Sequence, residues 1–246
     1  NNDVDTASGD IDISTSFTWP TLASTVFAQT DTGKVADDEH CLTVLVTGAT
    51  GNIGKACMKR SKGLGWSCVP TSRSMGLDLS DWGATRGWIA KVDRVYDLVI
   101  MAHGKQIPAT LEELDEDLWY EVMAANLDSC AALTTVLFQE DSMAGGGLIV
   151  YISSIQATQP RAGRGAYAIA KAGIEALTRI AAVEFGEYGV RALCIRPGQM
   201  TESMQGIHFT DEQISAIRDR TILEWPSPED VAKLCFDLYH QPSMTG

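Results

Sequence analysis

Tyr167 and Lys171 stand four residues apart in a stretch rich in small side chains, Ala166-Tyr167-Ala168-Ile169-Ala170-Lys171-Ala172-Gly173. On a helix that spacing puts both side chains on one face, so an ammonium can sit near a phenol. A phenol ionises near pH 10 in water, and a fixed cation beside it favours the phenolate. Such a tyrosine can exchange a proton with an alcohol or a carbonyl near neutral pH. A bare Tyr-x-x-x-Lys pair carries little weight, and its surroundings add to it. Upstream, Gly147-Leu148-Ile149-Val150-Tyr151-Ile152 is an apolar run of the kind that forms a strand buried on both faces. It ends at Ser153-Ser154, which places hydroxyls at the carboxyl end of a strand, where open α/β sheets bind ligands.

A second constellation lies nearer the start. Cys41 to Val46 reads as a buried strand and runs straight into Thr47-Gly48-Ala49-Thr50-Gly51-Asn52-Ile53-Gly54, followed by a helical stretch from Lys55 to about Lys62. A glycine-rich turn between strand and helix lets backbone N–H groups approach a pyrophosphate at the positive helix end. The glycine spacing alone is weak evidence; with the strand before it and the helix after it, it points to a dinucleotide site. Taken together, Ser154, the Tyr167/Lys171 pair and this turn resemble the short-chain dehydrogenase/reductase superfamily over roughly Leu42 to Gly246. Asn52 departs from the family's usual glycine or alanine, and the Gly48, Gly51, Gly54 spacing is closer to its extended members.

The resemblance implies roles. Tyr167 would be the general acid/base, Lys171 would lower its pKa and bind the nicotinamide ribose, and Ser154 would hydrogen-bond the substrate oxygen. Asn126, in Ala125-Asn126-Leu127 of a helical stretch from Glu112 to Gln139, would complete a proton relay; an asparagine is intrinsically poor inside a helix. The cofactor would be lined by Gly48, Thr50, Gly51, Asn52, Ile53 and Gly54 at the turn and by Asp78 and Leu79 at the adenine. Around the nicotinamide the lining would be Ala102, His103 and Gly104, where the family usually shows Asn-Ala-Gly, with Tyr167, Lys171 and the Pro197-Gly198 turn. Ser67 to Ser72 reads as a second strand, which ends in Ser72-Arg73-Ser74. An acidic residue there would bind a ribose hydroxyl, whereas an arginine accommodates a 2′-phosphate, so NADP(H) is expected over NAD(H).

Composition narrows the partners. Lys+Arg 19 against Asp+Glu 32 leaves a net charge of −13, which argues against nucleic acid or an anionic membrane surface. No apolar run approaches the length of a membrane span, and the start shows no signal-peptide pattern. The six cysteines are scattered without a Cys-x-x-Cys, so buried free thiols in a reducing, cytoplasmic setting are expected and a metal site is not.

Further buried strands are expected at Tyr96 to Met101 and Val190 to Ile195, and helices near Trp82 to Val92 and from Pro226 to about Tyr239. The whole predicts a Rossmann-like α/β fold, a doubly wound parallel sheet flanked by helices on both faces in three layers. Residues 1–40 read as an extension, and the alternation at Gly9 to Ser14 suggests that it supplies an edge strand; residues 41–246 form the domain, with a substrate lid near 199–225. The expected function is carbonyl/secondary-alcohol interconversion on a small molecule, by a homodimer or homotetramer. An epimerase or dehydratase of the same fold, or a non-catalytic NADP-binding protein, are the alternatives.

Overall fold

The computed structural model describes residues 41–200 and 224–246, together with Glu212, Ser215, Arg218 and Asp219 between them. The expected amino-terminal edge strand and most of the expected lid lie outside the described residues. The chain divides into Asn1–Glu39 and His40–Gly246, and the second unit is the one described.

Five strands, β1 (Thr43–Thr47), β2 (Ser67–Thr71), β3 (Tyr96–Met101), β4 (Met143–Ile152) and β5 (Arg191–Ile195), form one sheet in the order β2-β1-β3-β4-β5. Every pairing is parallel. Parallel neighbours need crossovers, supplied by α1 (Asn52–Leu64), α2 (Trp82–Val92), α3 (Glu116–Met123), α4 (Ser129–Gln139) and α5 (Gly165–Phe185), with α6 (Pro228–Tyr239) following β5. Because strand side chains alternate between faces, Leu45, Val99 and Ile149 pack with Ile89 of α2, Leu133 of α4 and Ile174 of α5. Val44, Leu98 and Val150 face the other way, onto Cys57 of α1 and Phe236 of α6. That is the expected three-layer α/β/α arrangement. All six residues of β3 are buried, and each of its apolar side chains, Asp97 being the exception, contributes roughly 1.5–3 kcal/mol.

The chain leaves β1 towards β2 on one side and β3 on the other, so a crevice opens beyond the carboxyl ends of β1 and β3. Three boundaries differ from the sequence reading. β4 begins at Met143, before the triple glycine, because Met143 pairs with Tyr96 across a register shift. β2 ends at Thr71, leaving Ser72 just outside the sheet. The helix expected from Glu112 begins at Glu116, capped by Asp115, and is interrupted by a π turn over Ala124–Asp128.

Candidate active site

The glycine turn is built by close approach. Gly48 has φ 63°, and a Cβ there would stand 2.7 Å from the backbone of Ala102 and His103. A Cβ on Gly54 would meet the Gly48 carbonyl oxygen at 2.2 Å, so both positions exclude any larger residue. Asp81, Asp115 and Ser227 cap α2, α3 and α6 with their side chains. By contrast, Gly51 offers α1 no side-chain cap, and the first turn of α1 carries no acidic residue. Its N–H groups and positive end are left for an anion. These features fit a dinucleotide pyrophosphate over Gly51, Asn52 and Ile53.

At the tip of β2, Ser74 Oγ lies 3.0 Å from both Thr50 Oγ1 and Ser72 Oγ. Arg73 Nη2 donates to Asp78 Oδ2 at 2.8 Å. Burial acts to raise the Asp78 pKa, but hydrogen bonds from Ser80 and Arg73 outweigh it and hold it below the usual value. Leu79 is buried in the core, so its backbone is what it can offer a cofactor.

Beyond β3 and β4 lies a cleft of about 350 Å³ whose lining includes Ser154, Tyr167, Lys171, Gly104 and Gly198. Ile53, Ala102, His103 and Pro197 also border it, whereas Arg73 and Asp78 lie outside, at the β2 side. Ser154 follows β4 and accepts the Gln156 N–H at 3.2 Å, which leaves its own hydroxyl hydrogen for another acceptor. Tyr167 and Lys171 sit in the first two turns of α5. Lys171 is 3% exposed; its ammonium donates to the Ile152 carbonyl oxygen at 2.8 Å and stands 5.5 Å from the Tyr167 ring centroid.

The expected lowering of the Tyr167 pKa is not found in this state. Burial pushes the phenol above its ordinary value, opposed by a hydrogen bond with Ser154 and by the Arg164 cation. Burial also pulls the Lys171 pKa down. Burial of the phenol is the reason for the difference, and the ammonium's hydrogen bond goes to the Ile152 carbonyl.

Asn126 is fully buried in the π turn. Its amide donates to the Lys105 carbonyl at 2.7 Å and the Val122 carbonyl at 2.8 Å, and its Oδ1 accepts the Lys105 N–H at 3.3 Å. A Cβ at Gly104 would lie 2.7 Å from that Oδ1 and 3.3 Å from Lys171 Nζ, so Gly104 keeps open the space between them.

His103 is held from both sides. Its Nδ1 lies 2.6 Å from Thr47 Oγ1 and its Nε2 2.8 Å from Ser129 Oγ. Burial, then the Lys171 and Arg73 cations, push its pKa down to about 3, so the ring is neutral.

Several lining residues carry no sequence motif: Lys105, Gln106, Gln156, Arg161 and Arg164. With the Gln106 amide turned so that its oxygen faces Arg164, Oε1 accepts from Nε at 2.7 Å and Nη1 at 2.5 Å. Arg161 and Arg164 belong to the Ser154–Lys171 stretch, yet nothing in their spacing marks them. Among the described residues no cluster of His, Cys, Asp and Glu is arranged to hold a metal, and all six cysteines are free. No helix there is long and apolar enough to cross a membrane.

The chain is similar to a dehydrogenase/reductase SDR family member 4 of Bos taurus, 27% identical over 191 residues, 68% of each chain. It is 29% identical to a cis-4-hydroxycyclohexanecarboxylate dehydrogenase of Sinomonas cyclohexanicum over 77% of this chain and 85% of that one. A short chain dehydrogenase/reductase of Aspergillus oryzae, astE, is 35% identical over 129 residues, about half the length of each. Among solved structures, a small-chain dehydrogenase in complex with NADPH superposes with a TM-score of 0.73 over 83% of this chain and 94% of that one, at 20% identity, a likeness of fold. The family pattern described as enoyl-(acyl carrier protein) reductase matches residues 48–245, from the glycine turn to the chain's end. With the parallel sheet and the glycine turn already in place, that match settles the kinship: the chain belongs to the short-chain dehydrogenase/reductase superfamily of oxidoreductases.

Proposed function

We propose that the protein is an NADP(H)-dependent oxidoreductase that interconverts a carbonyl and a secondary alcohol, with Tyr167 exchanging the proton. The observation that carries this reading is the meeting of Ser154, Tyr167 and Lys171 on one cleft, with Asn126 reaching the same space behind Gly104. Reduced nicotinamide, when bound, is the source of the hydride. The residues of the chain do the rest. The Ser154 hydroxyl donates to the substrate oxygen and orients it, and the protonated Tyr167 delivers its proton to that oxygen as negative charge develops there. Lys171 spends one N–H on Ile152 and keeps two for the ribose hydroxyls and the phenol side. Both Asn126 donors are taken, so Asn126 serves a relay as an acceptor.

NADP(H) is preferred over NAD(H) on the strength of Ser72 and Arg73 at the end of β2, and the NADPH bound by the structural neighbour supports it. The relative named for cis-4-hydroxycyclohexanecarboxylate supports alcohol chemistry on a small molecule. Exposed Ile169, Ile180 and Val183 share one stripe of α5 and favour a homodimer or homotetramer through that helix. Six free cysteines favour a reducing, cytoplasmic setting. Titration with NADPH and NADH, followed by nicotinamide fluorescence, tests the cofactor, and a carbonyl panel with the preferred reductant tests the reaction. Absence of binding by both cofactors sinks the proposal.

A further inference from the structure

The chain carries a net charge of −13, yet none of the described residues lining the cleft is Asp or Glu, while Lys105, Arg161, Arg164 and Lys171 all line it. Two of these cations are already engaged: Lys105 pairs with Glu121, and Lys171 donates to Ile152. Elsewhere arginines find carboxylates, as in Arg73–Asp78, Arg86–Glu140 and Arg196–Glu175. Among the described residues no carboxylate pairs with Arg161 or Arg164.

Their placement is built. The Ala109 N–H donates to the Gly163 carbonyl at 3.1 Å, and the Arg164 N–H donates to the Arg161 carbonyl at 3.1 Å. The Arg161 N–H donates to Gln156 Oε1 at 3.0 Å, and the Gln156 N–H donates to Ser154 Oγ, so the arginine turn is tied to the reacting serine. Gln106 accepts two of the five Arg164 N–H groups, leaving three for a ligand. Arg164 precedes Tyr167 by three residues at the start of α5, on the same side of that turn.

We propose that the carbonyl substrate is a keto acid whose carboxylate is held by Arg164, assisted by Arg161, while its carbonyl oxygen lies at Ser154 and Tyr167. This rests on the reductase reading, because it takes Tyr167 to mark the reacting carbonyl. A carboxylate matches the planar fork of a guanidinium and relieves two like charges set side by side. The Arg161 charge, after burial, already acts to weaken proton binding at Arg164. The cofactor's ribose phosphate does not compete for this site. β2, which ends two residues before Arg73, is three strand spacings from β4, roughly 14 Å at about 4.8 Å each.

The test is calorimetric titration of the full chain with acetoacetate and levulinate, each against its uncharged amide, with and without NADP⁺, which blocks turnover. At least one acid is expected to bind about 10- to 100-fold more tightly than its amide. That ratio should fall towards one in Arg164→Gln and only partly in Arg164→Lys, with unchanged thermal melts showing that the variants fold. Equal binding of acid and amide, or a preference that survives Arg164→Gln, overturns the inference. Acetoacetyl-CoA binding with no preference for either free acid overturns it in favour of a thioester-borne phosphate. Turnover with NADPH is followed separately: an acid preference without reduction of any carbonyl leaves the anion site standing and overturns the reductase reading instead.

Discussion

Lys171 Nζ donates to the carbonyl oxygen of Ile152 at 2.8 Å while the Tyr167 ring centroid stands 5.5 Å away. Among the described residues, the buried ammonium is thus held by one backbone acceptor and by no carboxylate. Keeping a charge away from water costs stability unless it is paired, and the lowered Lys171 pKa is the sign of that cost. Lys171→Met is therefore expected to raise the melting temperature by roughly 3–8 °C while removing at least about 10²-fold of turnover. The gap has a pH dependence of known sign. The folded pKa lies below the unfolded one, so the penalty is complete below the folded value and shrinks as pH rises towards the ordinary lysine range. Melting curves of both proteins from neutral to alkaline pH check this; a gap that widens with pH refutes it.

Tyr167, raised by burial, is protonated throughout the neutral range. Carbonyl reduction needs that proton, so kcat/KM for reduction should stay flat through neutrality and fall as pH rises through the phenol's pKa. Alcohol oxidation should show the opposite trend. Tyr167→Phe keeps the ring and loses the proton, and is expected to cost about 10²–10⁴-fold in turnover with NADPH binding kept. A reduction profile that already falls at neutral pH means that cofactor binding brings Lys171 onto the phenol and lowers its pKa, against the arrangement seen here.

The Arg73–Asp78 ion pair must open, or turn outward, for Arg73 to meet a 2′-phosphate. Both side chains are about half exposed, so the pair itself is worth at most about 1 kcal/mol. Arg73→Ala is expected to cut the NADPH-over-NADH preference by about tenfold or more. Asp78→Asn should increase it, because it removes a carboxylate from the phosphate's neighbourhood. Fluorescence titration of each variant with both cofactors decides, and an unchanged ratio in Arg73→Ala removes Arg73 from cofactor choice.

What the sequence disclosed was local. The glycine turn and the runs forming β1, β3 and β5 are legible because a strand buried on both faces is mainly apolar, Asp97 and Arg191 being the charged exceptions, and because Gly54 answers a contact with the Gly48 backbone inside one β-α unit. The start of β4 was missed because glycines have no strand propensity, and only pairing with Tyr96 makes Met143 a strand residue. The π turn at Asn126 was missed because one extra residue in a helical turn leaves the apolar periodicity almost unchanged. The engagement of Lys171 by Ile152, and of Arg164 by Gln106, joins segments that no spacing rule connects. A pKa set by burial is likewise a tertiary property.

His103 shows how such a contact can be tested. Its ring ties Thr47, at the end of β1, to Ser129, which begins α4 directly after the π turn that carries Asn126. Either neutral tautomer satisfies the site: one nitrogen donates and the other accepts, and the two hydroxyls turn to match. Protonation would put a second cation near Lys171, and with burial this holds the folded pKa at about 3. The unfolded chain takes up that proton near pH 6.5. A depressed folded pKa on a base means that stability is complete above the unfolded value and falls as pH drops from about 6.5 towards 3, with a slope approaching one proton, about 1.4 kcal/mol per pH unit. His103→Gln is expected to be less stable at pH 7, by roughly 1–3 kcal/mol for the lost buried hydrogen bonds, and to lack this component of acid sensitivity. Urea unfolding of both proteins across that range separates the histidine from the carboxylates that titrate in each. If the two curves run parallel from neutral to acid pH, His103 is not the group that titrates.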